Sequence, residues 1–191
     1  GSLHDFTGQT KRFFYENGEL VPLYSSYNCY VTVDEFIAAR VIDADGKTVE
    51  FPILGLAGVD MSYHGEVRVE SSKEGVMWLA MEEGGLWKLS FDIDAKKVVA
   101  NRVTAEGDCI LAQGMGKGLE VPDGNCPYKT LFVGGTIAGE YGFFRSFDEG
   151  KSWERINAEH QMYGELMYMT GDPRRFGRVY IATGTRGVLW G

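Results

Sequence analysis

Apolar residues in this chain recur at every second position over short stretches, the spacing of strands that bury one face. Glu66–Glu70 alternates in this way, whereas Val76–Met81 is apolar at almost every position and reads as a strand covered on both sides. Leu86–Phe91 follows after the Glu82–Gly85 turn, and Val98–Val103 closes a group of four. The same order recurs downstream as Cys109–Gln113, Thr130–Thr136, Gly142–Phe147 and Ser152–Ile156. A last group contains Leu166–Thr170, Val179–Thr183 and Val188–Trp190, with no fourth strand. Upstream, Lys11–Tyr15, Asn28–Val33 and Ala39–Asp43 or a later stretch are expected as second, third and fourth strands of a first group, and Thr48–Val59 has strand-like pieces with no assigned place.

One turn is marked more sharply than the rest. Ser146-x-Asp148-x-Gly150-x-x-Trp153 joins two strand-like stretches, FFR and WERIN, and each residue type in it has a mechanical use. Asp148, and more weakly Ser146, can accept hydrogen bonds from backbone N–H groups of their own turn. Gly150 supplies the positive φ that such a tight loop requires, and Trp153 can fold its apolar face over the turn. The pattern reads as an Asp-box, a hairpin-closing device with no chemistry of its own. Gly85–Asp92 (GLWKLSFD) matches Gly142–Asp148 (GFFRSFD), although its turn lacks the glycine and the tryptophan. A fainter echo ends at Asp34, so the aspartates fall about 57 residues apart. Repeated four-stranded units of this length predict an all-β chain of propeller blades, about four of them, with approximate limits 1–60, 61–105, 106–160 and 161–191. Because a propeller removes its sheet edges by closing a ring, the missing outer strand predicts either a further polypeptide that completes it or, the favoured reading, that this chain is a portion of a larger protein.

Composition narrows the class further. The 191 residues include 26 glycines and 13% aromatics, which suits short strands and tight turns. A net charge of −8 with unclustered Lys and Arg argues against nucleic acid or an anionic membrane as partner. Gly1-Ser2 has the form of a cleavage scar, so the compartment is not legible from the N-terminus. Cys29, Cys109 and Cys126 fit neither a disulfide framework nor a zinc site, with a Cys109–Cys126 pair weighed against buried thiols. His4, His64 and His160 are scattered, so no metal site is expected. Gly114–Gly118 (GMGKG) lacks the spacing of a phosphate loop, and no cofactor is expected.

The final stretch Gly171–Gly191 (GDPRRFGRVYIATGTRGVLWG) resembles the C-terminal motif of the family 74 glycoside hydrolases, the xyloglucan-active endoglucanases. So does the train before it: Gly114-x-Gly116-Lys117, Val133–Thr136, Gly142-x-x-Arg145-Ser146-x-Asp148, Trp153-x-Arg155-Ile156-Asn157, His160 and Tyr163-Gly164. The match runs from about Gly65 to the end. The resemblance implies seven-bladed propellers flanking a cleft, a β-glucan or xyloglucan substrate, and a secreted or periplasmic location. It also implies an inverting mechanism with two aspartates held roughly 6.5–9.5 Å apart to admit a water. Neither aspartate can be carried onto a position here, so the catalytic residues are unknown and expected outside this chain. The expected partners are the polysaccharide and the remaining blades or a second polypeptide. The alternative is a non-catalytic Asp-box propeller that binds polysaccharide or a protein.

Strand order gives each loop a side. The Ser146–Trp153 turn marks one end of the sheets, and the other end gathers Glu82–Gly85, Ala105–Asp108, Ala138–Tyr141, Glu159–Tyr163 and Gly184–Gly187. Sugars present apolar C–H faces ringed by hydroxyls, which aromatic platforms and forked polar groups fit. On that criterion Tyr141, His160, Tyr163 and Arg186 are the candidate substrate contacts, with Glu83 and Glu140 behind them. Trp78, Trp87 and Trp190 are expected in the core between blades, Met162, Met167 and Met169 in packing, and Asp172-Pro173 as a turn on the Asp-box side.

Overall fold

The computed structural model describes residues 11–16, 19–24, 37–42, 46–56, 68–73, 75–119, 129–161, 164–184 and 186–191. Every regular element among them is a strand. The first described elements form two hairpins, β1 (Lys11–Glu16) with β2 (Glu19–Tyr24) and β3 (Ile37–Ile42) with β4 (Thr48–Leu54). A meander follows of β5 (Arg68–Lys73), β6 (Val76–Ala80), β7 (Leu86–Asp92) and β8 (Lys97–Arg102), each antiparallel to the next. The next meander is β9 (Cys109–Gly116), β10 (Thr130–Ile137), β11 (Glu140–Ser146) and β12 (Glu154–Arg155). The last sheet holds β13 (Leu166–Gly171), β14 (Val179–Thr183) and β15 (Gly187–Trp190). These are the antiparallel sheets of propeller blades, stacked face to face.

The patterning explains the stacking. In β6, Val76, Trp78 and Ala80 pack with Ile110, Leu131, Val133 and Phe144 of the following sheet, while Leu79 joins Trp87, Leu89, Val98 and Phe51 on the opposite side. Strand β10 divides likewise: Leu131 and Val133 face the β5–β8 sheet, and Phe132 joins Phe143, Leu166, Met169 and Ile181 toward the last one. Two buried faces per strand account for the near-continuous apolar runs. Each fully buried side chain of this size contributes about 1.5–3 kcal/mol relative to exposure.

The GMGKG stretch has a packing explanation. A β-carbon on Gly114 would come within 2.4 Å of the Thr170 Cα, and one on Gly171 within 2.5 Å of the Gly116 Cα. Only glycines let β9 and β13, neighbouring strands of successive sheets, approach this closely.

Three expectations are corrected. Ala39–Asp43, or a later stretch, is expected as the outer strand of a separate first sheet. Instead β3 pairs with β4, and β4 runs parallel to β8 through Ile53–Val98 and Leu54–Val99, extending the second sheet to six strands. Asn28–Val33 lies outside the described residues. Trp190 is 68% exposed and Met167 45%, whereas Trp78, Trp87 and Met169 are buried as expected. Trp190 pairs in register with Tyr180 on the side of β14 opposite Val179 and Ile181, and Arg178 covers its ring at 4.8 Å. Met162 lies outside the described residues.

Candidate functional site

The turn after β11 is saturated by its own hydrogen bonds. Ser146 Oγ accepts from the N–H groups of Asp148 (3.3 Å) and Gly150 (2.8 Å) and donates to Asp148 Oδ1 (2.7 Å). Asp148 also accepts from Ser152 N–H (2.9 Å) and from the Ser152 hydroxyl (2.6 Å). Burial opposes ionisation of Asp148, but these bonds, with one from Lys151 N–H, outweigh it and hold the carboxyl at about 2. Gly150 adopts φ +84°, and a β-carbon there would lie 2.3 Å from Val103 Cγ1 and 3.2 Å from the Trp153 ring. The corresponding turn after β7 keeps one such bond, Ala95 N–H to Asp92 Oδ1 at 2.9 Å; Asp94 aligns with Gly150, and the left-handed position falls instead on Lys96 at φ +50°. Lys88 Nζ meets Glu149 Oε2 at 2.6 Å and ties the two sheets at this end.

Asp172 fixes the loop between β13 and β14 at the same end. Its carboxylate accepts from the N–H groups of Arg174 (2.8 Å) and Arg175 (3.1 Å) and from the Tyr180 hydroxyl (3.1 Å). Phe176 of that loop stacks on Phe147 at 5.5 Å. Hydrogen bonds led by the Arg174 N–H, against burial, hold the Asp172 carboxyl below its usual range.

The opposite end is built from contacts between loops of different sheets. Glu82 and Ile110 exchange backbone hydrogen bonds of 3.0 and 2.8 Å, joining the β6–β7 turn to β9. Asp108 Oδ1 accepts from Ala138 N–H at 2.8 Å, joining the β8–β9 connection to the β10–β11 turn. Beside it, burial and then the charges of Glu82 and Glu83 push the Cys109 thiol up. Burial and then Cys109 do the same to the Tyr141 phenol. Arg155 Nη2 donates to Tyr141 O at 3.3 Å, and its Nη1 lies 3.8 Å from Glu140 Oε2. Asn157 Oδ1 accepts from Phe143 N–H at 2.8 Å, and the connection to β13 leaves from there.

No family model matches the chain. It is 39% identical over 127 residues to a xyloglucanase from Acetivibrio thermocellus, covering 66% of this chain and 14% of that protein. It is 32% identical over 157 residues to a xyloglucanase from Paenibacillus sp., covering 81% and 15%. The crystal structure of the GH74 xyloglucanase from Xanthomonas campestris superposes with a TM-score of 0.57 at 31% identity, over 78% of this chain and 20% of that one. Over the matched region the chain belongs to glycoside hydrolase family 74. A GH74 enzyme from Niastella koreensis, at 24% identity and a TM-score of 0.62 over 96% of this chain, shares the fold. The chain spans 14% and 15% of the length of these two xyloglucanases.

In this family 74 segment, Tyr141 near the start of β11 and His160 in the β12–β13 connection lie at the end opposite the Ser146–Trp153 turn, and both are exposed. Arg155 and Asn157 link the Tyr141 hairpin to the stretch that leads to His160. Arg186 sits on the next sheet in the β14–β15 turn, exposed, its N–H donating to Thr183 Oγ1 at 3.0 Å. Glu83 and Glu140 are exposed at the same end. Tyr163 lies outside the described residues, as does Cys126, whose pairing with Cys109 the sequence leaves open against buried thiols. Asp108 and Arg155, which organise this end, carry no signal of that role in the sequence. No local pattern marks a loop aspartate that bonds a residue 30 positions away. Among the described residues no group of three His, Cys, Asp or Glu side chains could hold a metal.

Proposed function

We propose that this chain is a segment of a xyloglucan-active, inverting glycoside hydrolase of the endo-β-1,4-glucanase type. It contributes propeller blades and part of the polysaccharide-binding surface, and the catalytic carboxyls reside elsewhere in the enzyme. The Ser146–Trp153 turn is read as an Asp-box and serves folding alone. The substrate contacts are Tyr141, His160, Tyr163 and Arg186. The supporting observation is the grouping of exposed loops at the end away from the saturated turns, in a chain whose relatives are xyloglucanases.

Calorimetry of the purified chain with soluble xyloglucan, alongside an assay for released reducing ends, tests this reading. Binding without release is expected. Release by this chain alone refutes the placement of the catalytic carboxyls elsewhere. Absence of binding favours the alternative of a propeller segment that serves a protein partner.

A further inference from the structure

Tyr141 stands at the end of a turn whose shape is imposed from outside. Ala138 occupies φ +52° and Gly139 φ +81°, the two left-handed positions of a tight hairpin turn. Glycine takes such a position freely, whereas alanine takes it only when the surroundings compel it. What compels it is visible. Asp108, 6% exposed, spends one carboxylate oxygen on the Ala138 N–H at 2.8 Å and the other on the Ala105 N–H at 3.0 Å. One carboxylate thus closes its own loop and reaches across 30 residues to the hairpin tip. On the other side, Arg155 holds the carbonyl of Tyr141.

We propose that Asp108 is a positioning residue: it holds the Ala138–Gly139 turn and so sets where Tyr141 is presented to the polysaccharide. The proposal rests on the reading of this end as the polysaccharide surface. The chemistry needs a carboxylate, because two backbone donors call for two acceptors. Asparagine would turn an N–H₂ toward one of them.

The test uses the 191-residue chain. In Asp108→Asn, hydrogen exchange at Ala105 or Ala138 should quicken about tenfold or more while Leu131–Val133 keep their protection. Affinity for soluble xyloglucan should fall about threefold to tenfold. In a Tyr141→Ala background the same substitution should change affinity no further. Unchanged exchange at both amides overturns the proposal, and so does an equal affinity loss in the two backgrounds. If Tyr141→Ala alone leaves affinity intact, Tyr141 is no ligand contact and the presentation role falls with it. The exchange data then still report separately on the brace. Should Asp108→Asn fail to fold, exchange in the unaltered chain decides: both amides must be protected, and an intrinsic rate at Ala138 overturns the bond.

Discussion

Replacing Gly150 with alanine isolates two forces that meet at one atom. The residue sits at φ +84°, and the missing β-carbon would overlap Val103 Cγ1 at 2.3 Å. The conformational part costs about 1–2 kcal/mol for any residue with a β-carbon. The steric part is an overpacking cost, about 1–3 kcal/mol. Together they give about 2–5 kcal/mol, a large fraction of the stability of a typical domain. Urea unfolding followed by tryptophan fluorescence measures the loss as a shift in midpoint at constant slope. Val103→Ala removes the opposing methyls and leaves φ untouched. The double variant should therefore be less destabilised than the sum of the singles by about 1–2 kcal/mol, with the conformational part remaining. A loss below about 0.5 kcal/mol for Gly150→Ala, or strict additivity, would refute the reasoning.

Other outcomes follow from the same geometry. The Asp148 carboxyl is depressed from 3.8 to about 2, so its contribution is present above pH 4 and fades as pH falls through 2. Solvent reduces that contribution to about 1 kcal/mol, and Asp148→Asn should flatten this segment of a stability–pH curve. Glu149 holds φ +60° and pairs with Lys88. Glu149→Ala and Glu149→Gly both lose the pair, but the glycine variant should be more stable by about 1 kcal/mol, measured by thermal unfolding. Thr104 Oγ1 accepts from the Leu86 N–H at 3.0 Å in a buried site. Thr104→Val leaves that donor without its acceptor and should cost about 1–3 kcal/mol, with faster amide exchange at Leu86 as the check. Trp190 is exposed while Trp78 and Trp87 are buried. Trp190→Phe should remove the component of fluorescence most accessible to acrylamide, and unchanged quenching would place that ring elsewhere.

Legibility from sequence tracked how local each cause is. The β9–β12 sheet could be read strand by strand, because its residues alternate between two cores and its third turn carries its own acceptors. The place of β3 and β4 could not. It depends on two residue pairs, Ile53–Val98 and Leu54–Val99, between segments about 45 positions apart, and parallel pairing leaves no trace in either. Trp190 failed for a related reason. An aromatic in a strand becomes core only when another sheet covers it, which is a property of the neighbour and not of the tryptophan. At the candidate site, antiparallel order alone fixes which end the described loops take. Asp108 looked like any loop aspartate, since its decisive partner lies in another turn.

The contrast between the two ends bears on function more than any single residue does. At the Ser146–Trp153 end the polar groups are consumed locally: Ser146, Asp148 and Ser152 bond one another, and Asp172 bonds its own loop. A surface whose carboxylates and hydroxyls already have partners gains little by offering them to a sugar, because each new contact must displace an existing one. At the other end the hydrogen bonds are made mainly by backbone groups and by Asp108, Arg155 and Asn157, which brace one loop against another. That bracing leaves the side chains of Tyr141, His160 and Arg186 exposed. Rigid backbone with unspent side chains is the condition under which a loop binds a ligand at low entropic cost. The polarity of the fold is therefore a prediction in itself: substitutions at Ser146 or Asp148 should move stability and leave polysaccharide affinity alone, and those at Tyr141 should do the reverse.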